Sequence, residues 1–308
     1  MSKEGFKSSK RSSRRITWRG PGDFKVHHAK KRDGEILTVA KSPVVMVAST
    51  KPIYDAIHLM ADKGFRRLPI VNAGTKHLEG IVTATDVVDY LGGGEKFEMV
   101  RHRFDGNFFK AINEPIKLVM TQNVVSVKTS AKISEAIGKM KESNLGGLPV
   151  VDEKGSVKAI ITERDVANLF ADRTSGVKVS QLMSEKVMTA LPKTTIFEAE
   201  KTMAAEGFRR LPIVSNGKVV GIITAMDIIR FFGCGEAFAH LRSGTIIQVL
   251  NNPALEIASK AVTTIEPDVD VGQAAKVMQE KNIGAMPVVK NEKLVGMITE
   301  RDFFKIIV

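Results

Sequence analysis

Four threonines in this 308-residue chain are each followed three positions later by an aspartate: Thr83/Asp86, Thr162/Asp165, Thr224/Asp227 and Thr299/Asp302. A carboxylate held beside a strand end can accept both hydroxyls of a ribose, the chemistry that dinucleotide-binding folds also use. A helix beginning at that point turns its positive end toward any nearby phosphate. Arginines stand where a phosphate would need paired donors. Arg164 and Arg301 directly precede the aspartate in two copies, and Arg66/Arg67 and Arg209/Arg210 precede a proline in the other two. A plainer role competes, because Thr and Asp at a strand-to-helix junction also accept the orphan N–H groups of the first helical turn. The arginines equally suit a solvated face or an internal salt bridge. Residue types and spacing leave these readings open.

The elements that must position these residues form a repeat. Gly-Phe-Arg-Arg-Leu-Pro-Ile-Val occurs at 64–71 and again, unchanged, at 207–214. Looser versions around Pro149 and Pro287 bring the number of copies to four. Nine residues before each proline stands a methionine: Met60, Met140, Met203 and Met278. Each copy reads as strand, helix, strand, strand, helix, an α/β (α+β) unit. Its first helix carries apolar residues at i, i+3, i+4 and i+7, such as Ile53, Ala56, Ile57 and Met60. The third copy breaks that stripe with Glu200. Copies one and three share Phe-Arg-Arg-Leu-Pro, and copies two and four share Ile-Thr-Glu-Arg-Asp, so the chain reads as a duplicated pair. The expected boundaries are an arm at 1–35, units at 36–92, 115–173, 174–233 and 253–308, and links at 93–114 and 234–252. The methionines are expected in the core. Link glycines are expected to supply unusual backbone angles, and Cys234 is expected to be a small buried residue.

Residues 38–308 resemble a protein of four cystathionine-beta-synthase (CBS) domains, of the archaeal type similar to the gamma subunit of AMP-activated kinase. The resemblance implies two pseudo-symmetric pairs forming a disc, with adenosine ligands in clefts between paired units. It implies that Asp86, Asp165, Asp227 and Asp302 hold ribose with help from Thr83, Thr162, Thr224 and Thr299. Arg66, Arg209, Arg164 and Arg301 are then the phosphate candidates. The regulatory ligand implied is AMP, ADP or ATP, and a homodimer of two discs is a further expectation.

Nothing in the chain points to catalysis. Six histidines (His27, His28, His58, His77, His102 and His240) include no pair with helical metal-ligand spacing, and Cys234 is the single cysteine. No metal is expected. There is no phosphate-binding glycine loop and no nucleophile elbow. No apolar run approaches the ~18 residues needed to span a bilayer, and no apolar stretch follows the basic N-terminus as a secretory signal requires. A cytoplasmic, non-enzymatic binding protein without membrane contact is expected.

The charge is concentrated at one end. Residues 1–32 hold eleven Lys/Arg against Glu4 and Asp23, a net charge of +9 out of +12 for the whole chain. The candidates for RNA contact are Lys7, Lys10, Arg11, Arg14, Arg15, Trp18, Arg19, Lys25, His27, His28, Lys30, Lys31 and Arg32. Cationic side chains neutralise phosphates, and Trp18 and Phe24 are suited to stack on unpaired bases. The arm resembles the basic extensions of ribosomal proteins. The expectation is an extended arm that docks on RNA, most plausibly the ribosome, with energy-linked inhibition or hibernation of translation as its purpose. The alternative is a nucleotide-sensing regulatory subunit of a kinase, transporter or metabolic enzyme, with the arm incidental.

Overall fold

Apolar residues at helical spacing need a surface to bury against, and each unit supplies one from a small sheet. The computed structural model of the chain describes residues 35–237 and 245–307, together with the backbone of two short strands, β1 (Thr17–Trp18) and β2 (Phe24–Lys25). β1 and β2 pair antiparallel with Trp18 opposite Phe24. The other arm candidates, Lys7, Lys10, Arg11, Arg14, Arg15, Arg19, His27, His28, Lys30, Lys31 and Arg32, lie outside the described residues.

In the first unit β3 (Val47–Ala48) runs parallel to β4 (Arg67–Val71), which pairs antiparallel with β5 (Leu78–Thr83). The second unit repeats this with β6 (Val127–Lys128), β7 (Gly147–Val151) and β8 (Val157–Thr162). The third and fourth units keep the hairpins β9 (Arg210–Ser215) with β10 (Lys218–Thr224), and β11 (Ala285–Lys290) with β12 (Lys293–Thr299). Their leading strands shrink to single parallel bridges, Ala190 to Ile213 and Ile265 to Val288. The expected closing helix is 3-10 in the fourth unit, Glu300–Ile306.

The helix Ile53–Lys63 buries Ile53, Ala56, Ile57 and Met60 completely, and Met140, Met203 and Met278 are buried at the same position of their units. These helices end in the left-handed conformation that Gly and Asn tolerate best. Gly64 and Gly207 serve in units one and three (φ 68° in both), Asn144 and Asn282 in units two and four (φ 53° in both).

Adjacent units interlock, because the segment leading into each unit bridges to the sheet of its partner. Lys41 pairs with Ile160 and Thr121 with Ile81 in the first half, as Ser184 does with Met297 and Ser259 with Ile222 in the second. The halves then pack unit one on three and unit two on four. Helix Ile53–Lys63 lies on helix Ala225–Gly233, helix Ile196–Glu206 lies on the turn Asp89–Gly93, and helix Glu163–Ala167 lies on Glu300–Ile306. One apolar cluster spans units one and three, while Phe304 of unit four packs into the cluster of unit two.

The link glycines permit close packing more than unusual angles. A Cβ on Gly233 would lie 2.7 Å from the Ala61 Cβ, and one on Gly93 would lie 2.7 Å from the Glu200 carbonyl. Gly235 does adopt a left-handed angle, φ 85°. Cys234 corrects the expectation of burial: it is exposed, because it follows the last turn of its helix.

Glu200 occupies the place that Ile57 fills in the first half. It is fully buried, and both its carboxyl oxygens lack a hydrogen-bond partner among the described residues. Burial raises this carboxyl well above its ordinary range. The neutral form is therefore favoured by folding. Its contribution is fully present below the unfolded pKa of about 4.3 and is lost as pH rises toward the folded value. Glu200→Met is expected to raise stability at pH 8 by roughly 1–3 kcal/mol. It should also flatten the fall in melting temperature between pH 5 and 8, measured by thermal denaturation; a variant less stable at pH 8 would contradict this.

Candidate functional site

All four Thr-x-x-Asp pairs form reciprocal caps. The aspartate Oδ2 accepts from the threonine backbone N–H and hydroxyl, at 2.8 and 2.6 Å for Asp86, 2.9 and 2.6 Å for Asp165, 2.8 and 2.6 Å for Asp227, and 2.8 and 2.8 Å for Asp302. The plainer role is thus real at every copy. It uses one oxygen of each carboxylate.

The remaining oxygen, Oδ1, distinguishes the copies. Lys96 Nζ donates to Asp86 Oδ1 at 2.7 Å and to the Val119 carbonyl at 3.0 Å. Lys305 Nζ donates to Asp302 Oδ1 at 2.7 Å and to the Leu182 carbonyl. Among the described residues, Asp165 and Asp227 have looser cations, Lys41 at 3.8 Å and Arg230 at 3.5 Å. Burial raises the carboxyls of Asp165 and Asp227. These two are the aspartates with acceptor capacity to spare.

The arginine candidates converge at the centre, on two carboxylates absent from the expected site. β4–β5 register sets Arg67 across from Thr83, and β9–β10 register sets Arg210 across from Thr224. Where units one and three carry these arginines, units two and four carry Gly146-Gly147 and Gly284-Ala285. Conversely, units two and four place Glu163-Arg164 and Glu300-Arg301 after the threonine, where the other two begin with Ala84 and Ala225. The differences fit together. Arg66 Nη1 and Arg164 Nε donate to the two oxygens of Glu300, at 2.8 and 2.6 Å. Arg209 Nη2 and Arg301 Nε donate to the two oxygens of Glu163, at 2.8 and 2.5 Å. The residues that end helices in units two and four complete the arrangement: Arg164 bonds Asn282, and Arg301 bonds Asn144. Glycine makes room for it. A Cβ on Gly147 would fall 1.7 Å from Arg67 Nη1 and 2.7 Å from the Ile161 carbonyl.

This hub holds six guanidinium groups (Arg66, Arg67, Arg164, Arg209, Arg210 and Arg301) against Glu163 and Glu300, an excess of four positive charges. Burial, then the neighbouring Arg209, lowers Arg67 to about 10; burial, then Arg66, lowers Arg210 to about 9. Burial alone would raise Glu163 and Glu300, but their paired arginines hold both below the ordinary carboxylate range. Arg67 Nη1 is buried with no hydrogen-bond partner among the described residues. At an effective dielectric of about 20, two like charges ~5 Å apart repel by about 3 kcal/mol. Such a centre is chemically suited to an anion.

The arginine pairs and the Glu-Arg pairs each occur only in alternate copies, and this alternation is the sequence signal for Glu163 and Glu300, whereas Arg67 and Arg210 already stand in the arginine pairs. Two surface cavities of about 470 and 430 Å3 contain neither the Thr–Asp pairs nor the hub. Among the described residues no cluster of His, Cys, Asp and Glu is arranged to hold a metal, and no helix is long and apolar enough to cross a membrane.

Gly147→Ala is expected to lower stability by roughly 1–3 kcal/mol, because the Ile161 backbone cannot yield as a side chain would. Gly138→Ala, in helix Ile133–Glu142 with open space at its Cβ, should instead gain up to about 1 kcal/mol. Thermal denaturation of the two variants checks the contrast.

Comparison with known proteins gives one answer along the chain. CBS domains match residues 34–93, 116–172, 179–233 and 254–308. The uncharacterised protein MJ1225 of Methanocaldococcus jannaschii is 38% identical over 264 residues, covering 85% of this chain and 94% of that protein. A 33.4 kDa protein of Thermofilum pendens, described by its place in a ribosomal RNA operon, is 34% identical over 260 residues, covering 84% and 86%. The crystal structure of MJ1225, described as a candidate archaeal homologue of g-AMPK, superposes with a TM-score of 0.84 at 36% identity, over 88% of this chain and 99% of that one. A Pyrococcus horikoshii structure shares the fold at 22% identity, with a TM-score of 0.57 over 89% and 99% of the two chains. With four matched domains, interlocked in pairs and meeting at shared strand ends, the chain belongs to the CBS-domain family.

Proposed function

We propose that the chain is a non-catalytic adenine-nucleotide sensor whose ribose contacts are the junction aspartates and whose phosphate contacts are the hub arginines. The observation that carries this reading is a part-buried cluster of six guanidinium groups, with an excess of four positive charges, beside four carboxylate-bearing junctions. A ligand that joins a diol to a phosphate satisfies both features, and a nucleotide is such a ligand. Adenine is favoured over other bases by the likeness to MJ1225 and its described kinship with g-AMPK. Thr83, Thr162, Thr224 and Thr299 orient the aspartates through their caps. Among the described residues Arg66 and Arg209 each bond one carboxylate, which leaves donors for a phosphate, whereas Arg164 and Arg301 are held by both Glu and Asn.

Isothermal calorimetry with AMP, ADP and ATP tests the reading. Asp165→Ala and Asp227→Ala are each expected to weaken binding about ten-fold or more, the loss of a charge-assisted hydrogen bond. Asp86→Ala and Asp302→Ala should change it less, since Lys96 and Lys305 already occupy those oxygens. No heat with any of the three nucleotides would refute the proposal.

The arm completes the proposed function: RNA, with the ribosome as the preferred target, is its partner. The support is the net charge of +9 over residues 1–32, interleaved with Trp18 and Phe24. A relative described by its place in a ribosomal RNA operon agrees with that direction. Sedimentation with ribosomes is expected to recover the full chain and lose a version lacking residues 1–35. If about five arm charges contact single-stranded phosphates, affinity should fall roughly 100-fold between 50 and 200 mM salt. Equal sedimentation of both versions, or a protein partner retained after nuclease, would favour the regulatory-subunit alternative.

A further inference from the structure

The geometry points to Glu200 as a proton-operated latch between the halves: its neutral carboxyl lets helix Ile196–Glu206 seat on the glycine turn that follows Asp89, and its ionisation unseats that turn and draws Lys96 away from Asp86. The latch stands apart from the nucleotide and RNA readings, and its test needs neither ligand.

A continuous line of contacts joins Glu200 to the first junction. Its carboxyl is fully buried, with both oxygens lacking a hydrogen-bond partner among the described residues. A Cβ on Gly92 would run into Glu200 Oε2 and lie 2.5 Å from Leu250 Cδ1, and one on Gly94 would lie 3.2 Å from the Ala204 Cβ. The turn Asp89–Gly93 is of the wide i→i+5 kind, closed by the Gly94 N–H donating to the Asp89 carbonyl at 3.2 Å. Asp89 Oδ1 in turn accepts from the Lys96 backbone N–H at 3.1 Å. Lys96 Nζ then reaches Asp86 Oδ1 at 2.7 Å. Moving the turn therefore moves the lysine that covers the first junction.

No neighbouring charge compensates Glu200. Of the elements packed against it, the turn carries Asp89 and Tyr90, helix Ala84–Val88 carries Asp86, and helix Glu95–Phe104 carries Glu95 and Lys96. Asp86 and Asp89 are engaged with Lys96, and the Tyr90 hydroxyl donates to the Ala111 carbonyl at 3.0 Å. β9 brings Arg210, which belongs to the hub, and helix Ile246–Leu250 brings no titratable group. On its own helix, Glu198 accepts from the Thr195 N–H at 2.8 Å, and Lys201 and Glu206 are exposed. Burial accordingly pushes the Glu200 carboxyl well above its ordinary range. Once ionised, it has neither water nor a partner, and separation of the two surfaces is the relief available. The turn is the side that yields. The helix is anchored by buried Ile196, Ala199 and Met203 and by its Thr195–Glu198 capping box, whereas three successive glycines give the turn no side chain to hold it. The sign follows: the seated form is fully present below the opened-state pKa of about 4.3 and is lost as pH rises toward the seated value.

Amide hydrogen exchange read by mass spectrometry tests the latch in the full chain, in Glu200→Gln and in Glu200→Met, between pH 5 and 8 and corrected for the base catalysis of exchange itself. In the unmodified chain, opening of peptides within 89–97 is expected to grow about ten-fold per pH unit above pH 5, until the seated value of Glu200 is reached. Both variants should lose that growth. Peptides within 230–236, the equivalent turn beside His58, should respond to pH alike in all three chains. Acylation of Lys96 is read against Lys305, which sits on Asp302 in the same manner, so that the pH dependence of the reagent cancels. That ratio should rise about two-fold or more between pH 6 and 8 in the unmodified chain alone. If peptides within 89–97 follow pH equally in all three chains, or the remaining peptides open together with them, Glu200 is no latch and the inference fails. If the turn opens while the lysine ratio stays flat, the turn moves without Lys96 and the control of Asp86 is overturned.

Discussion

Glu163 and Glu300, each buried between two arginines of the opposite half, are the interaction on which the centre of this protein depends. An ion taken out of water is tolerated only when paired and fully hydrogen-bonded, and removing one partner leaves the other stranded. That constraint reaches into the repeat itself. Units one and three carry Arg-Arg at the strand that units two and four leave as Gly-Gly or Gly-Ala, so the guanidinium groups have room over a bare backbone. The helices of units two and four end in Asn rather than Gly. Both residues accept the left-handed angle, but only Asn brings an oxygen for Arg164 and Arg301. One network thus accounts for three linked differences between alternate copies: Arg-Arg against Gly-Gly or Gly-Ala, Ala against Glu, and Gly against Asn.

Capping and ligand contact are compatible at the junctions because a carboxylate has two oxygens. Oδ2 closes the first turn of the helix at all four sites, which explains why the pair is copied with the unit. Oδ1 is left to the surroundings, and these differ. A lysine anchored by a second hydrogen bond takes it in units one and four, while units two and three leave it with looser cations, Lys41 at 3.8 Å and Arg230 at 3.5 Å. A repeated motif therefore yields inequivalent sites without any change in the motif.

The halves have diverged at their contact as well. Ile57 and Glu200 occupy the same helical position, and each helix lies against glycine of the other half. Glycine backbone and helix approach closely there, and the Glu200 carboxyl enclosed in that contact meets no hydrogen-bond donor among the described residues. The duplicated architecture tolerates such a defect because the surrounding apolar cluster, spanning units one and three, is extensive.

Local interactions were legible in the chain. The i, i+3, i+4, i+7 stripe located the helices and their buried methionines, and Thr-x-x-Asp located four helix starts, because both rest on residues within one or two turns of each other. The number of units followed from repetition. What the sequence alone left open depends on how separate units approach. Arg66 meets a glutamate 234 residues away, and Arg301 one 138 residues away. The leading strands of units three and four shorten to bridges, and Cys234 emerges at the surface beyond its helix. A cap is decided by neighbours along the chain, whereas a buried ion pair is decided by which charges packing brings within reach, and only the assembled tertiary structure makes that choice.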